Sequence, residues 1–137
     1  NKDRFVVIFD GDQRKRENKN LEHAVSMAEP SDKEKFRSWA LEKLNYLPGD
    51  TWPESWLVQK CTESIDSLAS LVNVHPDELE DVLERGLEAG KHNEFSEIGR
   101  IIGLDGEDAL RRFCINVAQN HDGEFLKIIE FIENALN

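Results

Sequence analysis

Hydrophobic positions along the chain follow two different rhythms. Phe5-Val6-Val7-Ile8-Phe9 is an unbroken β-branched and aromatic run, closed by Asp10-Gly11-Asp12. Such a run suits a strand covered on both faces, as in a parallel or mixed sheet flanked by helices. Leu44 to Leu47 is the other short extended candidate, so the rest of the sheet is expected to come from residues outside this chain. An opening Asn1 with a strand almost at once points the same way, to a segment of a longer product.

After the first strand the rhythm becomes helical. Residues 13–30 are polar and read as a loop with a short helix near Leu21 to Met27. Pro30 precedes Ser31-Asp32-Lys33-Glu34, a capping-box pattern opening a helix with Phe36, Trp39, Ala40 and Leu44 on one side. Leu47-Pro48-Gly49-Asp50 breaks it. Thr51-Trp52-Pro53-Glu54 is a second capping box, whose helix is expected to run to about Val72 with Ile65, Leu68, Ala69 and Val72 inward. Pro76 opens the next stripe, Leu79, Val82, Leu83 and Leu87, closed by Gly90. A short helix from Phe95 to Ile102 stops at Gly103. Asp105 caps a helix with Leu110, Phe113, Cys114 and Val117 inward, and Asp122 caps a last one with Phe125, Ile128, Ile129, Ile132 and Leu136 inward. The expected fold is an α/β fragment over residues 1–58, followed by an all-α helical bundle over 59–137, mostly helical overall.

Composition narrows the class. At 137 residues the chain is sized for one domain, or one domain plus a fragment of another. Charged residues reach 33%, yet three Trp and seven Phe allow a modest core, which argues against wholesale disorder. The net charge of −11 rules out a simple basic nucleic-acid coat. That charge is uneven: residues 1–60 balance eleven Lys/Arg against eleven Asp/Glu, while 61–137 carry six basic and seventeen acidic groups. No apolar run is long enough to cross a bilayer, and no secretory h-region opens the chain. Cys61 and Cys114 form no CxxC, which fits a reducing cytoplasm.

The candidate chemistry lies at the end of the first strand. Asp10 and Asp12, two residues apart at a strand mouth, direct carboxylates into a common space, where open α/β sheets bind ligands. Such carboxylates repel each other unless a cation sits between them, and Mg²⁺ takes one or two carboxylates with water and phosphate oxygens. The alternative is an Asp-Gly turn with both acids solvated. The residues after Asp12, Gln13-Arg14-Lys15-Arg16, disagree with a haloacid-dehalogenase-type phosphatase, in which Asp10 would be the nucleophile. A receiver domain would need a further strand-end Asp and a Lys-Pro, and neither is found.

Two motifs together carry a resemblance. Asp10-Gly11-Asp12 after its strand, followed by Asn45-Tyr46-Leu47-Pro48-Gly49-Asp50-Thr51-Trp52-Pro53-Glu54-Ser55-Trp56-Leu57, resembles the TOPRIM segment of ATPase-coupled nucleases of the overcoming-lysogenization-defect type. The likeness covers residues 4–58 by motif and the remainder by helical character. It implies a Mg²⁺-dependent (or Mn²⁺-dependent) DNA endonuclease, with Asp10, Asp12 and Glu54 as catalytic, metal-binding carboxylates. It also implies DNA as substrate, an ATPase domain or subunit as partner, assembly as a homo-oligomer or protein complex, and a role in defence against phage. ATP would enter only through a domain absent from this chain, since no GxxxxGK[ST] occurs. The family's upstream Glu has no counterpart, so the chain is expected to be inactive in isolation. Glu54 has a second reading, as the third residue of the Thr51 capping box.

Arg14, Lys15 and Arg16 lie just past the carboxylates, where they could hold nucleic-acid phosphates or simply form a solvated loop. Arg111-Arg112 reads as an exposed helix face, the four His as surface or capping residues, and Trp52 and Trp56 as packing for a turn and helix start. The competing functional reading is a non-catalytic helical interaction module, whose acidic charge suits a basic protein partner.

Overall fold

A computed structural model describes residues 5–136, so the first four residues of the 1–58 segment and Asn137 lie outside it. The described chain is mostly helical, with eight α-helices and one two-stranded sheet, and falls into two compact units. The first unit holds the residues up to Thr51 together with those from Phe125; the second is Trp52–Glu124.

In the first unit, β1 (Val7–Phe9) pairs in parallel with β2 (Leu44–Tyr46), in the register Val7 to Leu44, Ile8 to Asn45 and Phe9 to Tyr46. Parallel strands need a crossover, and α1 (Glu17–Ser26) and α2 (Lys33–Lys43) supply it. Leu21 and Val25 of α1 meet Ala40 of α2 in a small core, flanked by Phe36, Trp39 and Leu44. The guanidinium of Arg37 ties the two helices together by pairing with Glu22 at 2.9 Å, which holds the Glu22 carboxyl below its ordinary range. α8 (Leu126–Leu136) completes the unit, and buried Lys43 donates to the carbonyl of Ala135 at 3.0 Å.

Several expectations change here. The strand is shorter than Phe5–Phe9 and half-buried rather than covered on both faces; with a single neighbouring strand, Phe5 stays exposed although it packs edge-on to Trp39. The polar stretch after Asp12 is mainly helical, first as a 3₁₀ turn over Gly11–Arg16 and then as α1, which starts earlier than Leu21. Ser31 belongs to a short 3₁₀ turn, and Asp32 caps α2 without a side-chain bond, so the first capping box does not form. On α8, Ile129 and Leu136 are exposed rather than inward, and Ile128 is the buried residue.

The second unit contains α3 (Pro53–Thr62), α4 (Ile65–Val72), α5 (Pro76–Glu88), α6 (Glu94–Ile102) and α7 (Gly106–Asn120). Its core gathers Val58 and Cys61, Leu68, Leu79 and Leu83, Ile98, and Phe113 with Val117. Phe95 stands edge-on to Phe113 with ring centroids 5.0 Å apart, a favoured aromatic geometry. Gly86 lets α5 and α6 approach, since a Cβ there would lie 2.6 Å from Ile98.

The expected helix from Thr51 to Val72 is two helices. Its N-cap is Trp52, with no side-chain cap, which removes the second capping box as well. The break falls at Glu63-Ser64. The Thr62 hydroxyl bonds back to the Val58 carbonyl at 3.1 Å, while α7 recruits the Ser64 side chain through Asn116 at 2.7 Å. The inward face of α7 is also rotated from the expected one. Cys114 is exposed, and the fully buried polar residue Asn116 joins Ala109, Phe113 and Val117.

Candidate functional site

Parallel pairing sends both strands out of the sheet at the same edge. Phe9 leads into Asp10 and Tyr46 into Leu47, and the Leu47 amide continues the ladder by donating to the Phe9 carbonyl at 2.8 Å. Asp10-Gly11-Asp12 and Leu47-Pro48-Gly49-Asp50, separated by more than thirty residues in sequence, are therefore neighbours. Gly11 is buried against the second turn: a Cβ on it would lie 2.4 Å from the Gly49 carbonyl oxygen and 3.0 Å from that of Pro48. Only a residue without a side chain admits this approach.

Arg14 fastens the same corner. It donates to the carbonyl oxygens of Gly49 at 2.6 Å and Leu47 at 3.0 Å, reaches Asp50 at 3.5 Å, and lies 5.7 Å above the Tyr46 ring. Its guanidinium thus serves the turn as well as adding positive charge beside the carboxylates. Lys15 and Arg16, on the same 3₁₀ turn, are exposed. Asp10 is exposed at the start of that turn, where its carbonyl accepts from the Gln13 amide at 3.0 Å, and Asp12 is half-buried.

The donor set can be tested against a divalent cation. Two carboxylates, hard oxygen donors at a strand-end edge, match what Mg²⁺ takes from a protein when water and phosphate complete its shell. Among the described residues no three or more His, Cys, Asp and Glu gather as a metal cage. A cation at this corner would therefore have to be held by one or two of these carboxylates, with its remaining ligands from outside them.

Glu54 belongs to the second unit, in the first turn of α3. There it faces His92, whose Nδ1 lies 3.1 Å from the carboxylate. The pair lines a hollow of about 350 Å³ with Phe95, Ser96, Asp105 and Glu107. His92 has φ of 70°, an uncommon left-handed conformation for a residue other than glycine, and nothing in the sequence signalled the pairing. Trp52 and Trp56 do pack the start of α3, as expected: Trp56 is buried and the Trp52 indole donates to buried Glu94. Arg111 and Arg112 both pair with Asp108, at 2.8 and 3.0 Å, which keeps that carboxyl below its ordinary range.

What fold and site define is a mostly helical chain with a small parallel sheet and a carboxylate pair at its strand ends. Compared with known protein families, with curated proteins and with solved structures, the chain matched none. No helix among the described residues is long and apolar enough to cross a membrane.

Proposed function

We propose that this chain is part of a divalent-metal-dependent DNA endonuclease of the TOPRIM type, in which Asp10 and Asp12 hold Mg²⁺ or Mn²⁺. The observation that supports this reading most is the parallel pairing of β1 with β2, which puts Asp10-Gly11-Asp12 and the Leu47-Pro48-Gly49-Asp50 turn at one strand-end corner. A bound cation contributes stabilisation of charge developing on the scissile phosphate and activation of water. The rest of the work falls to the chain. Asp10 and Asp12 supply the oxygen donors, and Gly11 with Arg14 fixes the turn that carries them. Lys15 and Arg16, exposed on the same turn, attract the phosphate backbone of DNA without reading its sequence.

The resemblance also implies a metal-binding role for Glu54, which here lies in the second unit and pairs with His92. The same reading takes an ATPase domain or subunit, a homo-oligomeric or larger assembly, and defence against invading DNA as the setting. Nicking of supercoiled plasmid by the natural polypeptide that carries this chain tests it. Cleavage should require Mg²⁺ or Mn²⁺ and disappear in Asp10→Ala and Asp12→Ala; cleavage that survives both substitutions would sink the proposal. A second reading, a non-catalytic interaction module, draws on the charge of the second unit, where Trp52–Glu124 carries six basic and sixteen acidic groups. It requires a basic protein partner and is favoured if the intact polypeptide binds no divalent metal.

A further inference from the structure

Within the second unit, the break between α3 and α4 brings together a hydroxyl, an imidazole and two amides from segments far apart in sequence. Ser64 lies 3.0 Å by its Oγ from Nε2 of His121, the residue that ends α7. Asn116 donates through Nδ2 to the same Oγ at 2.7 Å and to the Cys61 sulfur at 3.3 Å. Its own Oδ1 accepts from Asn120 at 3.0 Å, which fixes the orientation of the Asn116 amide.

Direction follows from this inventory. An amide nitrogen only donates, so Asn116 occupies a lone pair of the Ser64 oxygen and cannot accept its proton. The hydroxyl hydrogen remains available to His121, whose Nε2 accepts it in the tautomer that carries the ring proton on Nδ1. A hydroxyl aimed at a neutral imidazole within hydrogen-bond reach is the arrangement that activates a serine nucleophile. Ser64 and His121 are both half-buried, while Asn116 behind them is fully buried.

The helix that follows adds a second element. Ser64 is the N-cap of α4, yet its hydroxyl makes no cap bond, having turned toward α7. The first-turn amides of α4, which an N-cap serine side chain ordinarily satisfies, therefore take no bond from this hydroxyl.

We propose that Ser64 and His121 form a nucleophile and general base that accept an acyl group from small carboxylic esters. In the step, the Ser64 O–H bond breaks and its proton passes to His121 Nε2 as Oγ bonds to the ester carbonyl carbon. The carbonyl–alkoxy bond then breaks, and the alcohol leaves with the proton from His121. Water reverses the sequence, releasing the acid and restoring the hydroxyl.

The test is labelling of the purified 137-residue chain with a fluorophosphonate, read by intact mass and peptide mapping. The phosphorus–oxygen bond should form at Ser64 with loss of fluoride. Labelling should be absent in Ser64→Ala and slowed at least tenfold in His121→Gln, which keeps a polar group but no base. Far-UV circular dichroism of each variant separates loss of reactivity from loss of fold. Failure of the folded wild-type chain to acquire the label at Ser64, or an equal rate in a folded His121→Gln variant, would overturn the proposal.

Discussion

Replacing Gly11 with Ala tests whether the strand-end corner is built as described. The added Cβ would stand 2.4 Å from the Gly49 carbonyl oxygen, roughly 1 Å short of an ordinary van der Waals separation. Relief requires moving backbone, because the obstructing atoms are carbonyl oxygens and not the end of a flexible side chain. The Gly49 carbonyl is itself held by Arg14, so the turn has little freedom to withdraw. Overpacking of this kind costs about 1–3 kcal/mol. With a urea slope of about 2 kcal/mol per molar, the unfolding midpoint of the first unit should fall by about 1 M. Hydrogen exchange at the Leu47 amide, which bonds to the Phe9 carbonyl, should accelerate in parallel. Gly86→Ala is the control in the other unit, where the obstacle is the side chain of Ile98 and rotation can relieve part of it. A Gly11→Ala chain with an unchanged midpoint and unchanged Leu47 protection would refute the close approach of the two turns.

Three further outcomes are expected. Arg14→Ala should loosen the same corner by about 1 kcal/mol, a value discounted for its 43% side-chain exposure, and should speed exchange at Leu47 without altering the helices of the second unit. Phe113→Ala, which empties a fully buried ring site beside Phe95, should destabilise the second unit by about 3–5 kcal/mol in thermal or urea unfolding. Burial pushes the Cys61 thiol up to about 11 in the folded chain. The stability it contributes is therefore complete below the unfolded thiol's pKa and is lost as pH rises toward 11, by on the order of 2–3 kcal/mol. Cys61→Ala should flatten that alkaline slope in urea titrations, and iodoacetamide should modify exposed Cys114 long before Cys61.

The helices were legible because their cores are periodic. Leu79, Val82 and Leu83 on α5 and Leu68, Ala69 and Val72 on α4 are buried where the spacing places them. The second strand was readable as an extended segment, but its pairing with the first, which brings Asp10-Gly11-Asp12 beside the Leu-Pro-Gly turn, was not, because the first strand's partners were expected from outside the chain. Nor was cap chemistry. Both capping boxes have the right residue types, but the chain enters α2 through a 3₁₀ turn and α3 through Trp52-Pro53, so the side chains never reach the amides they would satisfy. The α3–α4 break has no signal in the apolar stripe, which runs through it; at the break Ser64 is held by Asn116, a polar residue 52 positions away. The Glu54–His92 and Ser64–His121 contacts are likewise tertiary pairings with no local signal.

The claim that Asp10 and Asp12 hold a divalent cation is tested most directly by Mn²⁺ titration of the 137-residue chain, followed by the electron paramagnetic resonance of free Mn²⁺. One site should fill, Mg²⁺ should compete for it, and Asp10→Asn and Asp12→Asn should each weaken it at least tenfold. A chain that leaves all Mn²⁺ free, or that binds it equally well after both substitutions, would contradict the assignment.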